Sequence, residues 1–150
     1  MDRDVRIQSK RLEALIGTWR TRGEVLGDDG ETPVAMVDGY DRYEWLGPSF
    51  VIHRIDVTMG DHEVRGLEMI GPYLPDDDAF ATRAYDNEGG EQVATATVDE
   101  DGAWTFRADG ARATLTFAAD GLSASAEWVR SDDGETWRPW MRLRLNREKA

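Results

Sequence analysis

His53 is the side chain best placed to do chemistry in this sequence of 150 residues, which holds only two histidines. It lies in Val51-Ile52-His53-Arg54-Ile55-Asp56-Val57 and shares the phase of Val51, Ile55, Val57 and Met59. Alternate residues of a strand share one face, and an apolar face turns inward. An inward imidazole, with an ordinary pKa of about 6.5, can hydrogen-bond a guest or act as a general base. It can equally be a satisfied core side chain. His62 stands beside the Gly60-Asp61 turn. The segment His62-Glu63-Val64-Arg65-Gly66 lacks the second histidine of an H-E-x-x-H zinc site, so no metal site is expected.

A second group gathers in the last hairpin. A turn centred on Asp133-Gly134 sets Trp128 opposite Trp140, Ala126 opposite Arg142 and Ala124 opposite Arg144. Leu122, Ala124, Ala126 and Trp128 form the apolar phase of the first strand, so this register points both tryptophans and both arginines inward. A buried arginine needs a partner. That partner is an acidic ligand, or a protein carboxylate such as Glu44 or Glu68; alternatively the arginines face outward. Tyr43 and Trp45 share one phase, Tyr40 and Glu44 the other. The larger apolar area favours Tyr43 and Trp45 inside. The candidate ligand-binding residues are therefore Tyr43, Trp45, His53, Glu68, Trp128, Trp140 and Arg142, with His53 as the alternative catalytic group.

Composition removes several classes. No cysteine is present, which excludes disulfides, thiolate nucleophiles, zinc fingers and iron–sulfur clusters. The net charge of −12 argues against nucleic acid or an anionic membrane as partner. The charged opening Met1-Asp2-Arg3-Asp4-Val5-Arg6 does not read as a signal peptide, and no stretch approaches the ~18 apolar residues of a membrane helix. A cytoplasmic location follows as the expectation. G-x-G-x-x-G, P-loop and G-x-S-x-G motifs are absent. No cofactor is expected.

The elements that must position these side chains are short and regular. Leu12, Leu15 and Ile16, with Ser9 as cap and Gly17 as stop, predict a short helix. Beyond it, clusters such as Gly27-Asp28-Asp29-Gly30, Gly47-Pro48, Asn87-Glu88-Gly89-Gly90 and Asp120-Gly121 punctuate runs rich in Val, Thr, Ile and aromatics. These predict ten strands near 18–26, 34–46, 50–59, 62–74, 79–86, 92–98, 103–108, 111–118, 122–131 and 136–146. Strands without helical crossovers pair antiparallel, and closure removes the exposed edges. The fold expected is an all-β, ten-stranded antiparallel up-and-down barrel with a short N-terminal helix. A β-sandwich is the alternative. No linker breaks the chain, so residues 1–150 are expected to form a single domain.

Gly17-Thr18-Trp19 opening the first strand resembles the lipocalin, fatty-acid-binding and nitrobindin-like barrels, grouped as calycins. With Tyr43-Glu44-Trp45-Leu46-Gly47, Glu68-Met69-Ile70-Gly71 and Asp132–Met141, the chain is most similar to an uncharacterised bacterial lipocalin-like family of unknown function, over about residues 12–147. The resemblance implies a barrel with a ligand-sized interior and supplies no activity. It also implies that Trp19 closes one end against an arginine of the last strand, Arg142 or Arg144. The nitrobindin-like relatives bind haem through a last-strand histidine. Trp140 stands there instead, and no histidine follows His62. The resulting expectation is a soluble binding protein for a small, mostly apolar ligand with or without an acidic group. The alternative is a cofactor-free isomerase, cyclase or hydratase in the same cavity. A homodimer through outward apolar residues such as Phe50 and Ile52 is a third reading.

Overall fold

Ten strands close into one barrel in the computed structural model, which describes residues 3–149. Helix α1 spans Arg3–Glu13. The strands are β1 Gly17–Leu26, β2 Pro33–Leu46, β3 Phe50–Met59, β4 His62–Leu74 and β5 Ala79–Asp86. They continue with β6 Glu91–Val98, β7 Trp104–Ala108, β8 Ala111–Phe117, β9 Ser123–Arg130 and β10 Arg138–Arg147. Each pairs antiparallel with its sequence neighbour, and β10 returns to β1 from Trp19↔Arg147 to Val25↔Met141. The sheet therefore has no free edge, which is the gain that closure brings. The expected barrel is the one found. Among the described residues no helix is long and apolar enough to cross a membrane.

The helix begins earlier than expected, so Ser9 lies in its interior instead of capping it. Gln8, Lys10, Arg11 and Glu13 are straight-chain helix formers, and they let the helix run on both sides of Ser9. Leu12 and Leu15 are buried at 1% exposure and pack with Trp19, Val51, Ile70, Phe80, Ala96, Trp104 and Leu145. These side chains fill the end of the barrel next to α1. Trp104 stacks on Phe80 at 5.2 Å and on Phe106 at 5.8 Å. Half of the barrel is thus solid.

Trp19 closes this end as the resemblance implies, but its partner is Arg147, not Arg142 or Arg144. The Arg147 guanidinium lies 4.1 Å from the Trp19 ring centre. It donates to the carbonyls of Ala14 and Gly121 at 3.1 Å each and to that of Ile16. Trp19 Nε1 donates to the Leu15 carbonyl at 2.9 Å. One planar fork thereby ties the segment after α1, the β8–β9 turn and the last strand together. Arg147→Ala is expected to cost about 2 kcal/mol and lower Tm by about 5 °C in thermal unfolding followed by circular dichroism. Arg147→Lys should recover only part of it. An unchanged Tm would mean the clasp contributes nothing.

The β9–β10 register also corrects an expectation. Met141 faces Trp128, Arg142 faces Glu127, Leu143 faces Ala126 and Arg144 faces Ser125, with an irregularity between Pro139 and Met141. The extra residue shifts the pairing by one, and a one-residue shift exchanges the two faces of a strand. Leu143 and Leu145 therefore point inward, while Arg142 and Arg144 are exposed on the outer wall.

Candidate functional site

The half of the barrel away from α1 is hollow. A cavity of about 500 Å³ opens between the β3–β4, β5–β6 and β7–β8 turns. Its walls are mainly apolar: Val37, Val57, Phe106, Leu115, Trp128 and Leu143 are among them. Small residues keep it open, since Ala84, Ala94, Ala108, Ala111, Ala113 and Ala126 all face it. Trp128 and Trp140 meet edge to face at 5.8 Å. The β10 irregularity brings both Trp140 and Met141 to the cavity, where a regular strand would present only one.

A polar cluster sits among these apolar walls. His53 is at the centre of one rung, with Tyr43 of β2 opposite on one side and Glu68 of β4 opposite on the other. Its Nδ1 lies 3.0 Å from Glu68 Oε1 and its Nε2 lies 2.7 Å from Asp41 Oδ1. Thr21 donates its hydroxyl to the second Asp41 oxygen. Tyr43 stacks on the imidazole, rings 3.9 Å apart and 9° from parallel. All five residues line the cavity.

Both ring nitrogens meet carboxylates, so the imidazolium is the form that satisfies the site. Burial pushes His53 down, and the hydrogen bonds and charges of Asp41 and Glu68 push it up by more, from 6.5 to about 9. Burial first, then the same two carboxylates, holds the Tyr43 hydroxyl well above its ordinary range. It stays a neutral phenol. Because the folded imidazole value exceeds the unfolded one, its stabilisation is complete near pH 6 and is lost as pH rises through about 9. Urea unfolding is expected to show stability falling across that window by on the order of 3 kcal/mol. A flat profile would contradict the buried imidazolium.

Of the residues singled out from sequence, the structure gathers Tyr43, His53, Glu68, Trp128 and Trp140 around the cavity. Trp45 is not among them. It shares the Tyr43 phase but lies one residue from the end of β2 and is 40% exposed. Arg142 is also outside, its guanidinium 4.0 Å from Glu24 across β1. Tyr40 and Glu44 face out, bound to Arg20 and Arg54 respectively. His62 pairs with Glu88 at 2.7 Å on the surface. Phe50 and Ile52 are half-buried. Asp41 and Thr21 were missed; the signal for Asp41 was its phase, which it shares with Val37 and Tyr43.

The residues present do not fit a haem-ligand set. No histidine follows His62 in the sequence, and both nitrogens of His53 are already engaged. Among the described residues no group of three His, Cys, Asp or Glu side chains is arranged to hold a metal ion.

No protein-family model matches the chain, and no curated protein sequence matches it either. Solved structures do match. The S-type phycobiliprotein lyase CPES from Guillardia theta superposes with a TM-score of 0.70 at 11% identity, covering 99% of each chain. Rv2717c from M. tuberculosis gives 0.64 at 13% identity over 93% of this chain and 96% of its own. A redesigned β-barrel, mFAP1, bound to DFHBI, gives 0.51 at 14% identity over 91% and 98%. At these identities the likeness establishes the fold.

Proposed function

We propose that this protein is a soluble, cytoplasmic, single-domain container that binds one small, mostly apolar molecule inside the barrel. The observation that carries the reading is the cavity of about 500 Å³, apolar along its walls and polar at one cluster. That is the composition of ligand pockets generally: apolar area for affinity, a few fixed polar groups for orientation. Trp128, Trp140 and Phe106 supply flat apolar surface, and Tyr43, His53 and Glu68 orient the guest. Barrels of this fold hold small molecules in at least one solved case, the redesigned barrel bound to DFHBI. With Arg142 on the outer wall, no arginine lines the cavity to receive an acidic ligand.

Titration of intrinsic tryptophan fluorescence with neutral aromatic alcohols tests the reading. Binding should perturb emission, and Trp140→Phe should remove much of the change. Silence across neutral, cationic and anionic compounds alike would overturn it.

A second reading, cofactor-free acid/base catalysis of the isomerase, cyclase or hydratase type, is favoured by the Asp41–His53–Glu68 hydrogen-bond chain. Both His53 nitrogens are occupied, so a guest would exchange its proton with Glu68, and His53 would tune that carboxylate. Under this reading Glu68→Gln abolishes turnover while a guest still binds. Full turnover in that variant would contradict it.

A further inference from the structure

Resting on the container reading, we infer that the preferred guest is an organic cation, an amine or amidine on an aromatic or alicyclic body, seated against Glu68.

The charges around the cavity decide this. Neither lysine nor arginine is among its lining residues. Asp41, Glu68, Asp86 and Glu91 line it, and His53 is the one basic group facing them. At the polar cluster one imidazolium is shared by two carboxylates, which leaves one negative charge without a counterpart. Asp41 has no spare oxygen: one takes His53 Nε2 and the other takes the Thr21 hydroxyl. Glu68 uses Oε1 for His53 Nδ1, and its Oε2 accepts from no described residue. The unbalanced charge therefore has an open acceptor on Glu68, whose side chain is 15% exposed.

Tyr43 points to a ligand independently. It is 7% exposed, it lines the cavity, and among the described residues its hydroxyl has no hydrogen-bond partner. The hydroxyl is not walled in: it opens to the cavity, where a guest can reach it. A guest N–H standing between Glu68 and Tyr43 supplies the partner. The body of such a guest then lies along Phe106, Trp128 and Trp140, whose faces attract cations. At the mouth Asp86 adds a further carboxylate, while Glu91 is paired with Arg83 at 3.6 Å. A cleft of one sign with low-dielectric walls concentrates ions of the other sign. A carboxylate guest meets the reverse: a negative seat and no lysine or arginine to receive it, since both nitrogens of His53 are already taken.

The test uses three compounds on one body: 2-naphthylmethylamine, 2-naphthylmethanol and 2-naphthoate. Affinities are read by tryptophan fluorescence and calorimetry near neutral pH. The amine is expected to bind roughly 10- to 100-fold more tightly than the alcohol, as hydrogen bonds to charged groups do, and the acid to bind most weakly. Glu68→Gln should bring the amine-to-alcohol ratio close to one. An alcohol that binds as well as the amine, or an acid that binds better, overturns the cation proposal and leaves the container reading standing. No binding by any of the three overturns both. The order of the three compounds on the unaltered chain decides the matter even where the variant fails to fold.

Discussion

Replacing His53 with phenylalanine is expected to destabilise the protein by about 3–5 kcal/mol at neutral pH, although the new ring is apolar and sits in a largely apolar wall. The size of the cost comes from what is left behind. Asp41 and Glu68 are 12% and 15% exposed at their side chains, and both lose the one imidazolium they share. Two largely buried carboxylates facing each other across a phenyl ring repel. The penalty is electrostatic, so it is expected to be full at neutral pH and to ease in acid. A packing defect would show no such relief. Asp41→Asn and Glu68→Gln added to His53→Phe should restore most of the loss, because an apolar or neutral replacement of a whole ion cluster is often tolerated. Urea unfolding of the single and triple variants at several pH values checks this. A loss below about 1 kcal/mol, or one independent of pH, would show that the cluster is not ionised as described.

Trp104→Ala is expected to cost about 3–5 kcal/mol, with Tm lower by about 10 °C, whereas Ala94→Phe should cost less than about 1 kcal/mol. The contrast follows from the two halves of the barrel. Trp104 is fully buried between Phe80 and Phe106, and the cut leaves a void that neighbouring strands cannot collapse into. Ala94 faces the cavity with Thr82 and Ala108 as its cross-strand neighbours, neither of which obstructs a ring. In a filled core the same insertion would overpack and cost about 1–3 kcal/mol. Ala94→Phe should at the same time weaken guest binding at least about tenfold, since it takes volume from the pocket. Thermal unfolding and a fluorescence titration on the two variants measure both halves of the contrast.

The turn clusters and alternating runs made the strand order legible. Boundaries such as 50–59 for β3 and 62–74 for β4 coincide with those observed. Closure followed from edge cost alone. The site was legible where alternation was clean: His53 could be placed inward because Val51, Ile55, Val57 and Met59 share its face. Arg142 was misplaced because a turn centre was used to fix the register. The β9–β10 loop is held by Asp133 accepting from the backbone of Glu135 and Thr136, and β10 then spends an extra residue near Trp140. Alternation within β10 carried the better signal, since Met141, Leu143 and Leu145 are apolar against Arg142 and Arg144. Asp41 shares the phase of Val37 and Tyr43, which turns it inward despite its charge. A lone acid on an inward phase becomes meaningful only when a basic group across the sheet can reach it. That distance is set by three strands at once, which no single stretch of sequence records.

The charge state of His53 holds the rest together, because it decides whether the cavity carries an unbalanced negative charge. Imidazole nitrogen NMR on uniformly 15N-labelled protein at about pH 8, above the ordinary histidine range, reads it directly. Two protonated ring nitrogens, each donating to a carboxylate, are expected for His53. A His53 with one bare nitrogen at that pH would contradict the ionised cluster and remove the basis for a cationic guest.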